Sequence, residues 1–141
     1  MFNLNTSMMQ KWILPKVLIS VIILFIGCDK EPEIPPTLEL KTGTVYTSQD
    51  AIVAKDSTIT VGIIATKTED DLKTYNVSVS YDGATSTSTI ENFTISSGEK
   101  ALYNKDVTFT VRNQTGIEKY FFTITDVDGN IVQKILIFTV E

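Results

Sequence analysis

The sequence predicts an all-β protein built from packed sheets, and three observations lead to this prediction. From Thr37 onward apolar residues alternate with polar ones, and Thr, Val and Ile are frequent, as in strands. No stretch after Thr37 shows the apolar stripe of a helix. Turn-forming residues separate the alternating segments. They are Asp82-Gly83, Ser97-Gly98, Gln114-Thr115-Gly116 and Asp128-Gly129-Asn130.

The strands differ in how clearly the alternation marks them. The most regular segments are 58–66, 75–81, 107–111 and 120–125, and weaker ones are 38–40, 51–53 and 89–95. The last strand, Ile131 to Val140, is apolar on both sides around its centre, so we expect it to be bulged or covered on both faces. Its inward face stays undetermined. The acidic stretch Glu69-Asp70-Asp71 is predicted to be a polar loop rather than a helical turn.

Counted together, these segments give about seven or eight strands in roughly a hundred residues, which is the size of a single immunoglobulin-like β-sandwich. We place this domain at residues 37–141. Residues 116–130 also resemble the final hairpin of bacterial Ig-like modules, with an aromatic strand followed by a Thr-Asp-x-Asp-Gly-Asn turn. That resemblance puts Tyr120 where such sandwiches carry a tyrosine corner. It implies a fold and leaves the activity open.

The N-terminal residues 1–27 have the layout of a secretory signal. Lys11 and Lys16 precede about eleven mostly apolar residues and the small residue Gly27. The apolar run is too short for a membrane-spanning helix, which needs about 20 residues. Met1, Met8 and Met9 are the possible starts of translation.

The end of this signal resembles the lipobox of bacterial lipoproteins. Phe25-Ile26-Gly27-Cys28 places a small residue before a cysteine, although Phe25 departs from the common Leu. The resemblance implies cleavage between Gly27 and Cys28 and a lipid anchor, palmitate included, on Cys28. Two or three acyl chains at about 0.8 kcal/mol per buried methylene would hold the protein firmly to a membrane.

Residues 28–36 are predicted to be an acidic, proline-rich tether in extended conformation. Its charged residues resemble the export signal of surface lipoproteins of the Bacteroidota type; they are Asp29, Lys30, Glu31 and Glu33. The resemblance implies an outer-membrane lipoprotein at the cell surface rather than on the periplasmic face. Without an export signal, the same residues would serve as a spacer.

Composition excludes several kinds of chemistry. Cys28 is the single cysteine and the chain has no histidine, so no internal disulfide, cysteine-based zinc site or imidazole base is available. We therefore predict no catalytic residues, no metal and no cofactor. From Cys28 onward 10 cations stand against 17 acids, a net charge of −7, which disfavours nucleic acid as a partner.

Asp126-Val127-Asp128-Gly129-Asn130 matches the start of a calcium loop, with oxygen ligands at alternate positions. The twelfth position, which should be a carboxylate, is Ile137, so a hairpin turn is the preferred interpretation. Asp56-Ser57-Thr58 resembles the short motif at which Bacteroidota O-glycosylate exported proteins, and makes Ser57 a candidate acceptor.

Three functions remain in competition. The first is a non-catalytic interaction or structural module that binds another envelope protein or a glycan. The second is a carbohydrate- or small-ligand-binding accessory of a nutrient-uptake system, which exposed aromatics on one sheet face would support; Tyr46, Tyr81 and Tyr103 are the candidates. The third is a hydrolase using carboxylates such as those at 69–71, which needs a pair about 5 to 10 Å apart in one cleft.

Overall fold

The structure, a computed structural model, describes residues 33–141, and within them every regular element is a strand. The eight strands are β1 Thr37–Leu40, β2 Ala51–Val53, β3 Thr58–Thr66, β4 Leu72–Tyr81, β5 Ser88–Thr94, β6 Leu102–Thr110, β7 Gly116–Asp126 and β8 Ile131–Val140. The predicted number of strands is confirmed, and each predicted turn signal lies between strands or at a strand's first residue.

The strands form two sheets, with the orders β1-β3-β6 and β2-β8-β7-β4-β5. All neighbours are antiparallel except β2, which runs parallel to the end of β8. In immunoglobulin nomenclature these orders correspond to A-B-E and A′-G-F-C-C′. The predicted all-β, immunoglobulin-like sandwich is therefore confirmed.

The core lies between the two sheets and consists of alternate residues of each long strand. Tyr75 of β4, Phe122 of β7 and Phe138 of β8 are fully buried there. From the other sheet, Phe109 stacks on Tyr120 with ring centroids 4.1 Å apart. Strand alternation alone brings these side chains to one side, because successive residues point to opposite faces.

The structure also determines the inward face of β8. Leu136, Phe138 and Val140 are buried, whereas Ile135 and Ile137 point outward and are exposed. The pairing of β8 with β7 runs without a register shift, so the expected bulge is absent from this pairing. The inward apolar residues of β8 pack in the core, and the outward ones lie on an open outer face.

The N-terminal end of β1 identifies one end of the sandwich. The Thr68 hydroxyl donates to the carbonyl oxygens of Ile34 and Pro35, at 2.8 and 3.1 Å, and so ties the start of the described chain to the β3–β4 loop. The β5–β6 and β7–β8 loops lie at this same end. We call this end, where the described chain begins, the tether end of the sandwich.

The predicted cleavage site Gly27–Cys28, the lipid-bearing Cys28 and the charged Asp29, Lys30 and Glu31 lie outside the described residues, as do residues 1–26. Residues 33–141 contain no helix long and apolar enough to cross a membrane.

Candidate interaction surface

The outer face of the five-stranded sheet presents rows of side chains fixed by the strand register. Ile137 of β8 lies opposite Lys119 of β7, which lies opposite Ser80 of β4. The next row joins Ile135 and Phe121 in the same way. On this face, which lies away from the core, Ile135 and Ile137 are exposed, whereas Ser80 is buried.

Apolar residues dominate the β2, β7 and β8 part of this face. Ile52 is 70% exposed, Ile117 50%, Ile135 41% and Ile137 36%, with the half-buried Phe121 among them. Contiguous exposed apolar patches of this kind mark binding surfaces more often than isolated exposed residues do. We call these five residues, together with Lys119, the β7–β8 face.

A cleft of about 430 Å³ opens on this face beside the β4–β5 turn. Its walls are Ser80, Gly83, Ala84, Thr85, Ile117, Lys119, Phe121 and Ile137. The turn begins with Asp82 and Gly83, both at positive φ (51° and 79°), as a type I′ hairpin turn requires. None of the residues lining the cleft is a carboxylate, so the two-carboxylate geometry of a hydrolase is absent from it.

Lys119 is the charged group of the cleft. Its ammonium lies 5.2 Å from the centre of the Phe121 ring and forms no ion pair with any residue of the described range 33–141. A cation on an apolar surface without a counter-charge favours a partner that brings a carboxylate.

Half-buried aromatic rings elsewhere on the surface are covered by cations. Lys41 lies over Tyr46, Lys105 over Phe93 and Arg112 over Tyr81, at 5.4, 4.5 and 4.1 Å from the ring centres. Tyr103 is buried. Each half-buried ring named here, and Phe121 on the β7–β8 face, already has a cation near it, which weakens the carbohydrate-binding interpretation.

The end of the sandwich opposite the tether is closed by a buried carboxylate. Glu118 is 0% exposed and accepts hydrogen bonds from the Arg112 backbone N–H (2.9 Å), Arg112 Nε (2.8 Å) and the Tyr120 hydroxyl (2.7 Å). Burial, and then the bond to Glu118, raise the pKa of Tyr120. Tyr120 thus lies near the place of a tyrosine corner, but its hydroxyl bonds a side chain where that corner uses backbone.

Arg112 extends this cluster to the β4–β5 turn. Its two terminal nitrogens each lie 3.1 Å from Asp82 Oδ2, and its guanidinium stacks on Tyr81. Asp82 Oδ1 accepts from the Ile117 backbone N–H at 2.9 Å. That bond, followed by the bonds from Arg112, lowers the pKa of the Asp82 carboxyl. The turn that borders the cleft is thereby fixed to β7.

At the tether end, the calcium-like sequence forms the β7–β8 turn. Asp126 is buried, and its Oδ1 accepts from the backbone N–H groups of Asp128 (3.1 Å) and Asn130 (2.8 Å). Its Oδ2 has no hydrogen-bond partner within the described part of the chain. Burial, and then the charges of Asp128 and Asp126, raise the pKa of Asp70. Over residues 33–141 no three carboxylates lie close enough to hold a metal ion.

The remaining predicted site residues lie apart from one another. Ser57 is half-buried in the β2–β3 turn, where its N–H donates to the Ala54 carbonyl and its own carbonyl accepts from Val111. Glu33 precedes β1 and is exposed. Asp71 forms an ion pair with Lys67 at 2.9 Å, as a residue of a solvated loop does. None of them lines the cleft.

The sequence interpretation missed the β7–β8 face, the Lys119 cleft and the Glu118 cluster. For Glu118 a signal existed, because it has the same parity in β7 as Tyr120, Phe122 and Ile124, and so had to point inward. For the face, the signal was the apolar outward side of β8. The position of Lys119 beside Ile137 depended on strand register.

No protein-family model and no curated protein sequence matches the chain. Solved structures resemble it weakly. A chitin binding domain from Burkholderia pseudomallei is 7% identical with a TM-score of 0.49; the match covers 67% of this chain and 58% of that one. The conjugate transposon protein (27-141) from Bacteroides vulgatus is 15% identical with a TM-score of 0.40, covering 81% and 91%. A chain of the complex between zinc 2-glycoprotein and prolactin inducible protein from human seminal plasma is 8% identical with a TM-score of 0.45, covering 80% and 99%.

Proposed function

We propose that this chain is a lipoprotein of the bacterial outer membrane whose Ig-like sandwich binds a partner protein and performs no catalysis. The lipid on Cys28 would hold it to the membrane, with the domain displayed at the cell surface. The observation that carries the binding role is the open β7–β8 face, where isoleucines remain exposed around one cation.

The chemistry of this face specifies the partner. Its apolar side chains favour an apolar counter-surface, and Lys119 favours a carboxylate within it. Another envelope protein that combines these two features fits best. A glycan fits poorly, because the half-buried rings of the described residues already have cations over them.

The first described residues lie away from this face. The described chain begins beside the β3–β4 loop, whereas the β7–β8 face extends from the middle of β7, at Phe121, toward the opposite end, at Ile117. From Cys28 to Thr37 an extended chain spans at most about 30 Å. A domain held on such a tether can offer its side to a neighbouring protein in the same membrane.

Site-specific photo-crosslinking in living cells tests the binding role. We expect a crosslinker at Ile135 to give a discrete protein adduct, and a crosslinker at Glu99, in the β5–β6 loop, to give none. Lys119→Glu should reduce the Ile135 adduct strongly, while the neutral Lys119→Met should reduce it less. An Ile135 adduct unaffected by Lys119→Glu, or absent altogether, would contradict the proposal.

The anchor requires its own experiment. Radiolabelled palmitate should enter the wild-type chain and be absent from Cys28→Ala, and protease added to intact cells should remove the wild-type domain. Label without shaving would place the domain in the periplasm and demote Asp29, Lys30, Glu31 and Glu33 from export signal to spacer. Absence of label would refute the anchor.

A second candidate function rests on the cleft itself. A volume of about 430 Å³ is within the range of small-ligand pockets, about 300–1,000 Å³. Apolar walls with one unpaired cation suit a small amphipathic carboxylate, as in a ligand-binding accessory of an uptake system. Native mass spectrometry of purified protein should then show a bound acid that Lys119→Glu loses.

A further inference from the structure

Strand β6 is an edge of the three-stranded sheet, and its nine residues pair with β3 on one side only. The pairing runs from Thr58↔Thr110 to Thr66↔Leu102 without a shift. Proteins usually blunt such edges with bulges, prolines or very short strands. β6 has none of these and is protected only by two charged side chains, Lys105 and Asp106. By contrast β5, the facing edge of the other sheet, is shorter and has a register shift where it pairs with β4.

Two hydrogen bonds determine which backbone groups of β6 are open. The Val111 N–H donates to the Ser57 carbonyl at 3.0 Å, and the Lys67 N–H donates to the Ala101 carbonyl at 3.1 Å. In an antiparallel pair, hydrogen-bonded and non-hydrogen-bonded residue pairs alternate. The odd-numbered residues of β6 therefore face β3, and the even-numbered ones direct their N–H and C=O groups to the free edge.

Five consecutive even positions follow from this parity; they are Leu102, Asn104, Asp106, Thr108 and Thr110. Their backbone N–H and C=O groups form no hydrogen bond with any other part of the chain between residues 33 and 141. Ten parallel donors and acceptors in a straight row are the template for one further strand.

The side chains at this edge indicate what that strand must contain. Lys105 points to the inner side of β6 and spans the gap to Phe93 of β5, with its ammonium 4.5 Å from the ring centre. It forms no ion pair within the described chain. Tyr103 and Val107 flank it on the same side and are buried. An inward charge at an edge disfavours pairing with an uncharged strand, which would bury the ammonium without a partner. A strand that brings a carboxylate would pair with it.

We propose that β6 binds an extended acidic segment of another protein by strand addition. The segment places a carboxylate opposite Lys105 and apolar side chains opposite Tyr103 and Val107, in the pattern apolar–x–acid–x–apolar. This surface belongs to the other sheet, so it is independent of the β7–β8 face.

A second copy of the chain fits this edge less well. Two β6 strands paired antiparallel about their centre would set Asp106 against Asp106, and like charges directly opposite destabilise a sheet.

The test uses the ¹⁵N-labelled full chain in detergent micelles and the peptide acetyl-Thr-Val-Thr-Glu-Thr-Val-Thr-amide. Binding should protect the amides of residues 102, 104, 106, 108 and 110 from hydrogen exchange. The amides of 103, 105, 107 and 109, already bonded to β3, should change little. A peptide methylated on alternate backbone nitrogens should not bind.

Two variants complete the experiment. Asn104→Pro removes an edge N–H that β3 does not use, and should weaken peptide binding more than tenfold, whereas Asn104→Ala should bind normally. Lys105→Glu should weaken the glutamate peptide about two- to fivefold and favour its lysine counterpart, as expected for an exposed ion pair. Protection of the even amides without peptide would show self-association. A peptide-induced gain in protection that is equal at odd and even residues, that falls outside β6, or that is absent would equally overturn the proposal.

Discussion

Removal of the Glu118 carboxylate should be the most damaging single change at the end of the sandwich opposite the tether. Glu118 is fully buried and accepts three hydrogen bonds, two from Arg112 and one from Tyr120. Glu118→Ala leaves a buried hydroxyl and a backbone N–H without an acceptor, and leaves a cavity beside them. Breaking a buried charged pair from one side costs about 3–5 kcal/mol.

The lower part of that range is the better expectation. Arg112 keeps its two bonds to Asp82, and its side chain is 24% exposed, so water can compensate part of the loss. Glu118→Gln retains the shape and the one oxygen that accepts both Arg112 bonds. It loses the charge and sets an NH2 donor against the Tyr120 hydroxyl, which must then accept instead of donating. It should cost about 1–2 kcal/mol, the difference between charged and neutral hydrogen bonds.

Urea denaturation and thermal melting of the purified protein measure both variants. For a domain of this size each kcal/mol lowers Tm by about 4 °C or more, so Glu118→Ala should melt at least about 12 °C below wild type. Glu91→Ala, which removes an exposed glutamate of β5, is the matched control and should change little. An alanine variant within about 1 kcal/mol of wild type would refute the reasoning, because the three bonds would then contribute nothing net.

Three further predictions follow from the same side-chain contacts. Gly116→Ala should cost about 1–3 kcal/mol in urea denaturation, because its φ is +157° and its new Cβ would overlap Asp82 Oδ1; an unchanged midpoint would contradict this. Gly62→Val should break the Lys41–Asp106 ion pair of 2.6 Å, since a Cβ there would lie 2.5 Å from Lys41 Cδ and 2.8 Å from Asp106 Oδ1. The pKa of Lys41, raised chiefly by its hydrogen bond to Asp106, should then return toward its ordinary value in an NMR titration. Hydrogen bonds lower the pKa of the Asp82 and Asp106 carboxyls. The stability that these ionised carboxyls contribute is complete above the unfolded pKa of about 3.9 and is lost as pH falls through the lower folded values. Asp82→Asn lacks the contribution of Asp82, so it should unfold in acid at a higher pH than wild type does.

Most of the fold could be predicted from the sequence because strand alternation is a local signal. Segments such as 75–81 specify their own buried face by period two, and Asp82-Gly83 specifies the turn after it. The order of the strands in the sheets could not be predicted in this way, because no local feature of β2 indicates that it pairs in parallel with the end of β8.

The inward face of β8 shows where local reasoning ends. Ile135 to Phe138 are all apolar, so burial alone could not choose between the two parities. The choice is made by the hairpin, which pairs Thr125 with Ile131 and thereby places Leu136 beside the buried Tyr120. The turn signal at 128–130 indicated a hairpin without its closing pair, and one residue of slip would have exchanged the two faces.

Strand β7 links two buried acids to the proposed binding surface. Its inward parity is interrupted by an acid at each end, Glu118 and Asp126, and both point into the sandwich. Burying a carboxylate costs desolvation free energy unless its oxygens accept hydrogen bonds, and each of these two acids is surrounded by such donors. Glu118 accepts a hydrogen bond from Arg112, which in turn bonds Asp82 in the turn beside the cleft. Asp126 accepts from the backbone of the β7–β8 turn. The rigid strand between these two clusters is the one that presents Lys119 and Phe121 on its other side. Fixing both ends of β7 therefore also fixes the surface that we propose for binding, with the binding residues held on a rigid strand.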